Sequence, residues 1–440
     1  MKIVRGFEDA KRALSRRVAA QDASVSPNLA AGLKNMFGTE QPEQAVGIII
    51  ADVRKRGDAA LRDLSLKISG VKLDAIEVSH DEIEAAAARV PQGLLSDLQT
   101  AAGQIKYFHD KQFAAYHEGL GRMAPGTVFR VLERVGLYVP GGTASYPSSV
   151  LMTAIPALSA GVGEIIICTP SGKDGRIPDM TLAAVKIVGN ARVFAVGGAQ
   201  AVAAMAYGTE SIPPVDKICG PGNIFVMLAK KQVYGTVDID GLQGPSEVLI
   251  IADEYADPSR CAADMLAQAE HDSLAQSVLV TTSELLARKV QEEVESAAKT
   301  FERQATIEES LARAAVICVV ENLRQAVELA NDYAPEHLVI LTVDSSGLAA
   351  DIRNAGCVFV GKHATVVMGD YIAGPSHALP TSGTARFASP LNVTDFVRLM
   401  NIVDVDDRMM SELGAVAARL AEAEGLTAHA RAVLPDRKET

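Results

Sequence analysis

Arg134-Val135-Gly136-Leu137-Tyr138-Val139-Pro140 runs into Gly141-Gly142, and helical periodicity starts at about Ser148. A short apolar run closed by glycines and followed by a helix is a βα unit. The same unit recurs downstream. A strand at Glu164–Cys168 precedes a helix at Asp179–Val188, and a strand at 193–197 precedes a helix at 199–207. A strand at Lys217–Cys219 then enters Gly220-Pro221-Gly222-Asn223 and another helix. Successive βα units predict a parallel sheet with helices on its faces.

A second series follows. Strands are expected at 246–252, 277–281, 315–320, 337–343 and Cys357–Val360, with helices between them at 284–299, 322–332 and 348–355. The fold class is therefore α/β, with two Rossmann-like lobes built on parallel sheets. The two series are consistent with duplication, although no residue-level repeat marks it. Flanking these are helical stretches. Residues 1–24 read as an N-terminal helical extension with Lys11, Arg16 and Arg17 on a polar face, and Pro27 breaks it. Helices are expected at 40–56 and 59–68, from Asp81 with Ser79 as cap, and at 93–113. After Pro390 the chain reads as helical again, at 393–401 and 407–424. The expected division is 25–137 with 247–390 as a first lobe carrying metal and catalytic residues, 138–246 as a second, cofactor-binding lobe, and 391–440 as a C-terminal helical extension.

Composition excludes several function classes. With 440 residues, 48% of them hydrophobic and 22% charged, the chain can bury more than one core. A net charge of −12 argues against a nucleic-acid partner, which needs clustered Lys and Arg. No apolar run approaches the roughly 18 residues of a membrane helix, and Met1-Lys2-Ile3-Val4-Arg5-Gly6 has no secretory signature. Five cysteines, at 168, 219, 261, 318 and 357, form no C-x-x-C pair and sit in apolar segments, as reduced core residues do. A cytoplasmic protein without membrane or nucleic-acid partners is expected.

Candidate chemistry gathers in a few stretches. In Gln268-Ala269-Glu270-His271, Gln268 and His271 are three apart and share one helix face. Imidazole suits zinc, and an amide oxygen is a weaker ligand. Pro335-Glu336-His337, at a helix-to-strand junction, offers two bases, either of which could also end a capped turn. Gly369-Asp370-Tyr371 through Ser376-His377 is rich in turn residues yet holds an Asp and a His, as a loop site on a rigid scaffold does. Glu424 and His429 add a carboxylate and an imidazole near the C-terminus. Three glycine turns, Gly141-Gly142, Gly197-Gly198-Ala199-Gln200 and Gly220-Pro221-Gly222-Asn223, lie at carboxyl ends of strands, where ligands bind. None is G-x-G-x-x-G, so tight turns and a nucleotide site explain them equally well.

Taken in order, Gly136–Gly142, Val196–Ala201, Gly220–Asn223, Gly244-Pro245-Ser246-Glu247, Gln268–His271, Pro335–His337, Gly369–Tyr371 and Leu426-Thr427-Ala428-His429 resemble histidinol dehydrogenases over essentially the whole chain. The resemblance implies a zinc-dependent homodimer that oxidises L-histidinol to L-histidine with two NAD, through an aldehyde. It implies Gln268, His271 and Asp370 as zinc ligands from one subunit and His429 from the other. It assigns substrate contacts to Ser246, Gln268, His271, His337, Asp370, His377, Glu424 and His429, with His377 and Glu424 from the other subunit. It assigns NAD contacts to Tyr138, Gln200 and Asn223, the base to His337, and water activation to Glu336.

Three positions depart from the family pattern. Ser376 stands where Asn is common, Gln243 where a small residue usually precedes Gly244, and His363-Ala364-Thr365 where Thr-Pro is more usual. Relatives acting on other small alcohols, including hydroxylated sulfonates, give the nearest alternative. A zinc hydrolase would require no dinucleotide turns, and the chain has no H-E-x-x-H. A non-catalytic metal-binding protein would not need Glu336-His337 at a strand end.

Overall fold

The computed structural model describes residues 1–15, 26–120, 126–141 and 145–433; Arg16, Arg17, Gly142 and the end of the charged tail lie outside these. Thirteen strands are described: β1 (Lys2–Arg5), β2 (Thr127–Val131), β3 (Arg134–Tyr138), β4 (Glu164–Cys168), β5 (Ala191–Phe194), β6 (Lys217–Cys219), β7 (Asp238–Ile239), β8 (Glu247–Ala252), β9 (Gln276–Thr281), β10 (Val316–Val319), β11 (His337–Leu341), β12 (Cys357–Val360) and β13 (Val397–Asn401). Two compact units contain them, residues 1–115 with 131–397, and residues 116–130 with 398–440.

The first unit holds two parallel sheets. One runs β5-β4-β3-β6-β7, with Leu137 opposite Ile167 on one side and Cys219 on the other. The other runs β1-β10-β9-β8-β11-β12, with His337 opposite Val248 and Cys357. Leaving β1 aside, both have one order: the first strand is central, two successors extend to one side, and the chain returns to the other. This shared order supports the two Rossmann-like lobes and is a fold-level sign of duplication.

The strands are apolar on both faces because helices cover both. In β8, Val248 and Ile250 face a core with Met265, Leu286 and Ile307, whereas Leu249 and Ile251 face Ala10, Leu329 and Tyr333. The period of two along the strand supplies both layers. The five-stranded sheet carries a larger core that draws Val46, Leu61, Ile83 and Ile105 from the helices before it. The helices between residues 42 and 105, grouped by the sequence with 247–390, therefore pack with the 138–246 segment instead. The apolar stripes of helices Pro42–Arg56 and Asp58–Ser69 find their complement there, and β3 is that sheet's centre.

Other segments differ from expectation. Residues 2–5, read as helical, form β1, since Ile3 and Val4 are β-branched and pair beside Ile317 and Cys318. Among the described residues of that extension, a helix follows at Phe7–Ala13. Residues 393–401 split into a 3-10 turn, Val393–Phe396, and β13. The 369–381 loop opens on the end of a short helix, Val366–Tyr371.

In the second unit β2 and β13 form a two-stranded sheet, and helices Asp407–Ala423 and Thr427–Val433 pack on each other. Met409, Met410, Leu413, Val416 and Leu420 of the longer helix are exposed. No helix among the described residues is long and apolar enough to cross a membrane.

Candidate active site

Glu336 and His337 enter β11 at its amino end. Helix Leu323–Tyr333 stops at Ala334, whose φ of 50° turns the chain into the strand. Both side chains are buried, at 6% and 4% exposure. β8 fixes them through Glu247, the first residue of that strand. The Glu247 N–H donates to Glu336 Oε2 at 2.7 Å, and the Glu247 carbonyl lies 3.1 Å from His337 Nδ1. A carbonyl only accepts, so Nδ1 carries a proton and Nε2 is the position that can take one. The Glu247 carboxylate is itself buried, with Oε1 accepting from the Ser382 N–H at 3.1 Å.

Helix Val366–Tyr371 brings the next group. Asp370 Oδ1 lies 3.5 Å from His337 Nε2. His377 Nδ1 reaches back to the Asp370 carbonyl at 2.9 Å, and its Nε2 lies 3.3 Å from Ser149 Oγ, on the helix that follows β3. The site thus runs from the amino edge of the six-stranded sheet to the carboxyl edge of the five-stranded one. A separate cleft of about 450 Å³ lies at the carboxyl ends of β8 and β11, lined by Asp253, Arg260 and Asp344, away from Glu336 and His337.

The electrostatics follow from burial. Desolvation pushes the Glu336 carboxyl up to about 7, against the pull of His337. Burial alone would depress His337, but Glu336 and then Asp370 carry it up to about 9. Burial opposes ionisation of Asp370 as well, yet His337 holds it below the usual carboxylate range. The group is a buried acid–base cluster sharing protons.

Gln268 and His271 lie on helix Pro258–His271, capped by Asp257. Gln268 is 2% exposed, and neither Oε1 nor Nε2 meets a hydrogen-bond partner. A buried amide with both polar atoms unpaired calls for an explanation, and a ligand is one. His271 ends the helix, and the surrounding protein holds its imidazole below the ordinary value by desolvation, against the opposing charge of Asp370. Among the described residues no group of three or more His, Cys, Asp or Glu gathers to hold a metal. The expected zinc set takes only His271 and Asp370 of those types from this unit, with Gln268 beside them, so its donor chemistry fits. Asp264, one turn before Gln268 and missed by the sequence reading, accepts from Thr365 Oγ1 at 2.5 Å and ties this helix to the start of Val366–Tyr371.

The expected cofactor contacts cluster at the five-stranded sheet. Tyr138 ends β3, buried, and its hydroxyl oxygen accepts from the Gly198 N–H at 3.0 Å. Gln200 is buried in the helix after that turn. Asn223, exposed, caps helix Ile224–Val233 by accepting from the Phe225 and Val226 N–H groups. Ser246 is half-buried just before β8. Glu424 and His429 lie exposed in the second unit. Of the departures from pattern, Ser376 donates to the Met152 carbonyl at 2.9 Å, Gln243 accepts from Lys230 at 2.7 Å, and His363 is exposed. Glu247 and Ser149 were not singled out from the sequence, because a Glu opening an apolar strand and a Ser in an apolar helix carry no local signal.

Comparison with known proteins shows the family. A family model for histidinol dehydrogenase matches residues 34–435. Histidinol dehydrogenase of Dehalococcoides mccartyi strain CBDB1 is 56% identical over 437 residues, 99% of each chain. That of Bacillus subtilis strain 168 is 45% identical over 399 residues, 90% of this chain and 93% of its own. The crystal structure of histidinol dehydrogenase from Elizabethkingia anophelis matches with a TM-score of 0.86 at 32% identity, covering 99% of this chain and 97% of that one. Sequence and fold place the chain in the histidinol dehydrogenase family, as an NAD-dependent oxidoreductase.

Proposed function

We propose that this protein oxidises L-histidinol to L-histidine with two NAD, through L-histidinaldehyde, in the cytoplasm. Family membership supports the substrate, and the observation that carries the mechanism is His337. It is a buried imidazole with its proton fixed on Nδ1 and its Nε2 beside Asp370. In the first oxidation Nε2 accepts the hydroxyl proton as the carbinol carbon gives up a hydride. In the second, water adds to the aldehyde carbon as Glu336 accepts one of its protons and His337 returns its proton to the carbonyl oxygen. His337, neutral again, then takes the proton of a hydroxyl on the hydrated carbon as a second hydride leaves to NAD. A carboxyl pushed up to about 7 is suited to that exchange near neutrality.

Gln268, His271 and Asp370, with His429 of a second copy, are the residues we assign to zinc, and Tyr138, Gln200 and Asn223 to NAD. When bound, zinc would orient and polarise the substrate and NAD would accept the hydrides. Ser246 and His377, which contacts Asp370 within one chain rather than coming from a partner as the resemblance implied, would hold the substrate's polar groups with Glu424 from a second copy. The exposed apolar row at Met409, Leu413 and Leu420 supports a homodimer. The test is NADH formation by purified zinc-loaded protein with L-histidinol. Two NADH per histidinol, with histidine as product, is the expected result. Folded, zinc-loaded protein that is silent with histidinol but active on another small alcohol would replace the substrate.

A further inference from the structure

Lys230 is a buried cation that no step above uses. It lies on the covered face of helix Ile224–Val233 with Val226, Ala229 and Val233, and its side chain is 1% exposed. Its ammonium donates to three acceptors: the Gly220 carbonyl at 3.1 Å, an Asp240 carboxylate oxygen, and Gln243 Oε1 at 2.7 Å. The other Asp240 oxygen accepts from the Gly220 N–H at 2.7 Å. Both polar groups of Gly220 are therefore held by one ion pair, and all three ammonium protons are matched. The chain beyond Gln243 is anchored too. The Gly244 N–H donates to Thr381 Oγ1 at 2.5 Å, the Ser246 carbonyl accepts from Gln276 at 2.9 Å, and Glu247 holds Glu336 and His337.

One buried ammonium thus joins the 220–223 turn to the 240–246 segment. If either moved alone, an N–H of a buried cation would lose its acceptor, which is strongly disfavoured. Gln243 supplies the third contact of the ammonium.

We propose that Lys230 and Gln243 are positioning residues that couple dinucleotide at the 220–223 turn to alcohol binding at Gly244-Pro245-Ser246. The proposal rests on the function proposed above, which puts NAD at Asn223 and substrate at Ser246. Coupling is reciprocal, so each ligand should tighten the other by the same factor.

The test is calorimetric titration of NAD into zinc-loaded protein, with and without saturating L-histidine, which gives no turnover with NAD. Wild-type protein should bind NAD about fivefold or more tightly with histidine present. In Gln243→Ala that ratio should fall to near one with NAD binding alone little changed, and the unfolding temperature should drop because the buried ammonium loses an acceptor. Gln243→Glu keeps an acceptor for Lys230 and should retain the ratio. A wild-type ratio of one, or an unchanged ratio in Gln243→Ala, overturns the coupling. Hydrogen exchange separates the underlying reading: if saturating NAD leaves the 220–224 amides of wild-type protein unprotected, the cofactor assignment itself fails and the coupling with it.

Discussion

The carbonyl oxygen of Glu247 sits 3.1 Å from Nδ1 of His337, and the N–H of that same residue holds the Glu336 carboxylate at 2.7 Å. One peptide segment of β8 therefore orients both candidate bases at the start of β11 through main-chain atoms, which no substitution at 247 other than proline removes.

His337→Asn should lower kcat by about 100- to 10,000-fold, the usual range for loss of a general base. NAD affinity and zinc content should stay near wild type, measured by calorimetry and metal analysis. A kcat within a few-fold of wild type would remove His337 from the mechanism.

The pH dependence has a defined sign. His337 is raised to about 9 from its ordinary 6.5, so its protonated form is favoured in the fold. That contribution to stability is complete below 6.5 and is lost as pH rises through about 9. Only the deprotonated ring serves as base, so kcat/KM should climb with pH over the same interval. Glu336→Gln removes the largest effect that raises the imidazole and should move the climb to lower pH. It should also let histidinaldehyde accumulate, because the water step loses its carboxylate. A pH profile superimposable on wild type would contradict the ion-pair account.

Gln268→Met should separate metal binding from stability. The Gln268 amide is buried with neither polar atom paired, and an apolar side chain of similar length relieves that cost, worth ~1–3 kcal/mol. Metal-free Gln268→Met should unfold at higher denaturant than metal-free wild type, while its zinc affinity falls. A less stable metal-free variant would mean the amide is satisfied in solution.

Gly220→Ala should damage the cofactor turn. Gly220 has a φ of 110°, and a Cβ there would overlap the carbonyl oxygen of Tyr138. The strain alone costs ~1–3 kcal/mol. Weaker NAD binding with lower thermal stability is expected, and unchanged NAD affinity would place the dinucleotide elsewhere.

Mixing His337→Asn with His429→Asn, each inactive alone, should restore partial activity once subunits exchange, because one of the two mixed sites is then intact. No recovery despite demonstrated exchange would argue for a site complete within one chain.

Much of this was legible in the sequence, and the exceptions share physical causes. Glu164–Cys168, Lys217–Cys219 and Cys357–Val360 were read to the residue because continuous apolar runs between turns have few alternatives. Lys2–Arg5 and Val397–Asn401 were misread, since strands of four or five residues take their conformation from a distant partner rather than from local pattern. Gln268 and His271 were paired by helical spacing, whereas the nearness of Asp370 to His337 needs the tertiary fold. A signal for Lys230 was present: it falls four residues after Val226 on an apolar stripe, where a lysine needs a buried carboxylate. Asp240 could not be chosen as that partner without the sheet.

The strand Lys2–Arg5 bears on handling the protein. It covers the outer edge of β10, and the Met1 ammonium lies 3.4 Å from Glu295. A variant lacking residues 1–6 would replace an edge strand that carries Lys2 and Arg5 with the apolar Val316–Val319, whose open peptide groups then lack flanking charges against strand addition between molecules. Such a variant should self-associate as it is concentrated even though every proposed catalytic group is retained.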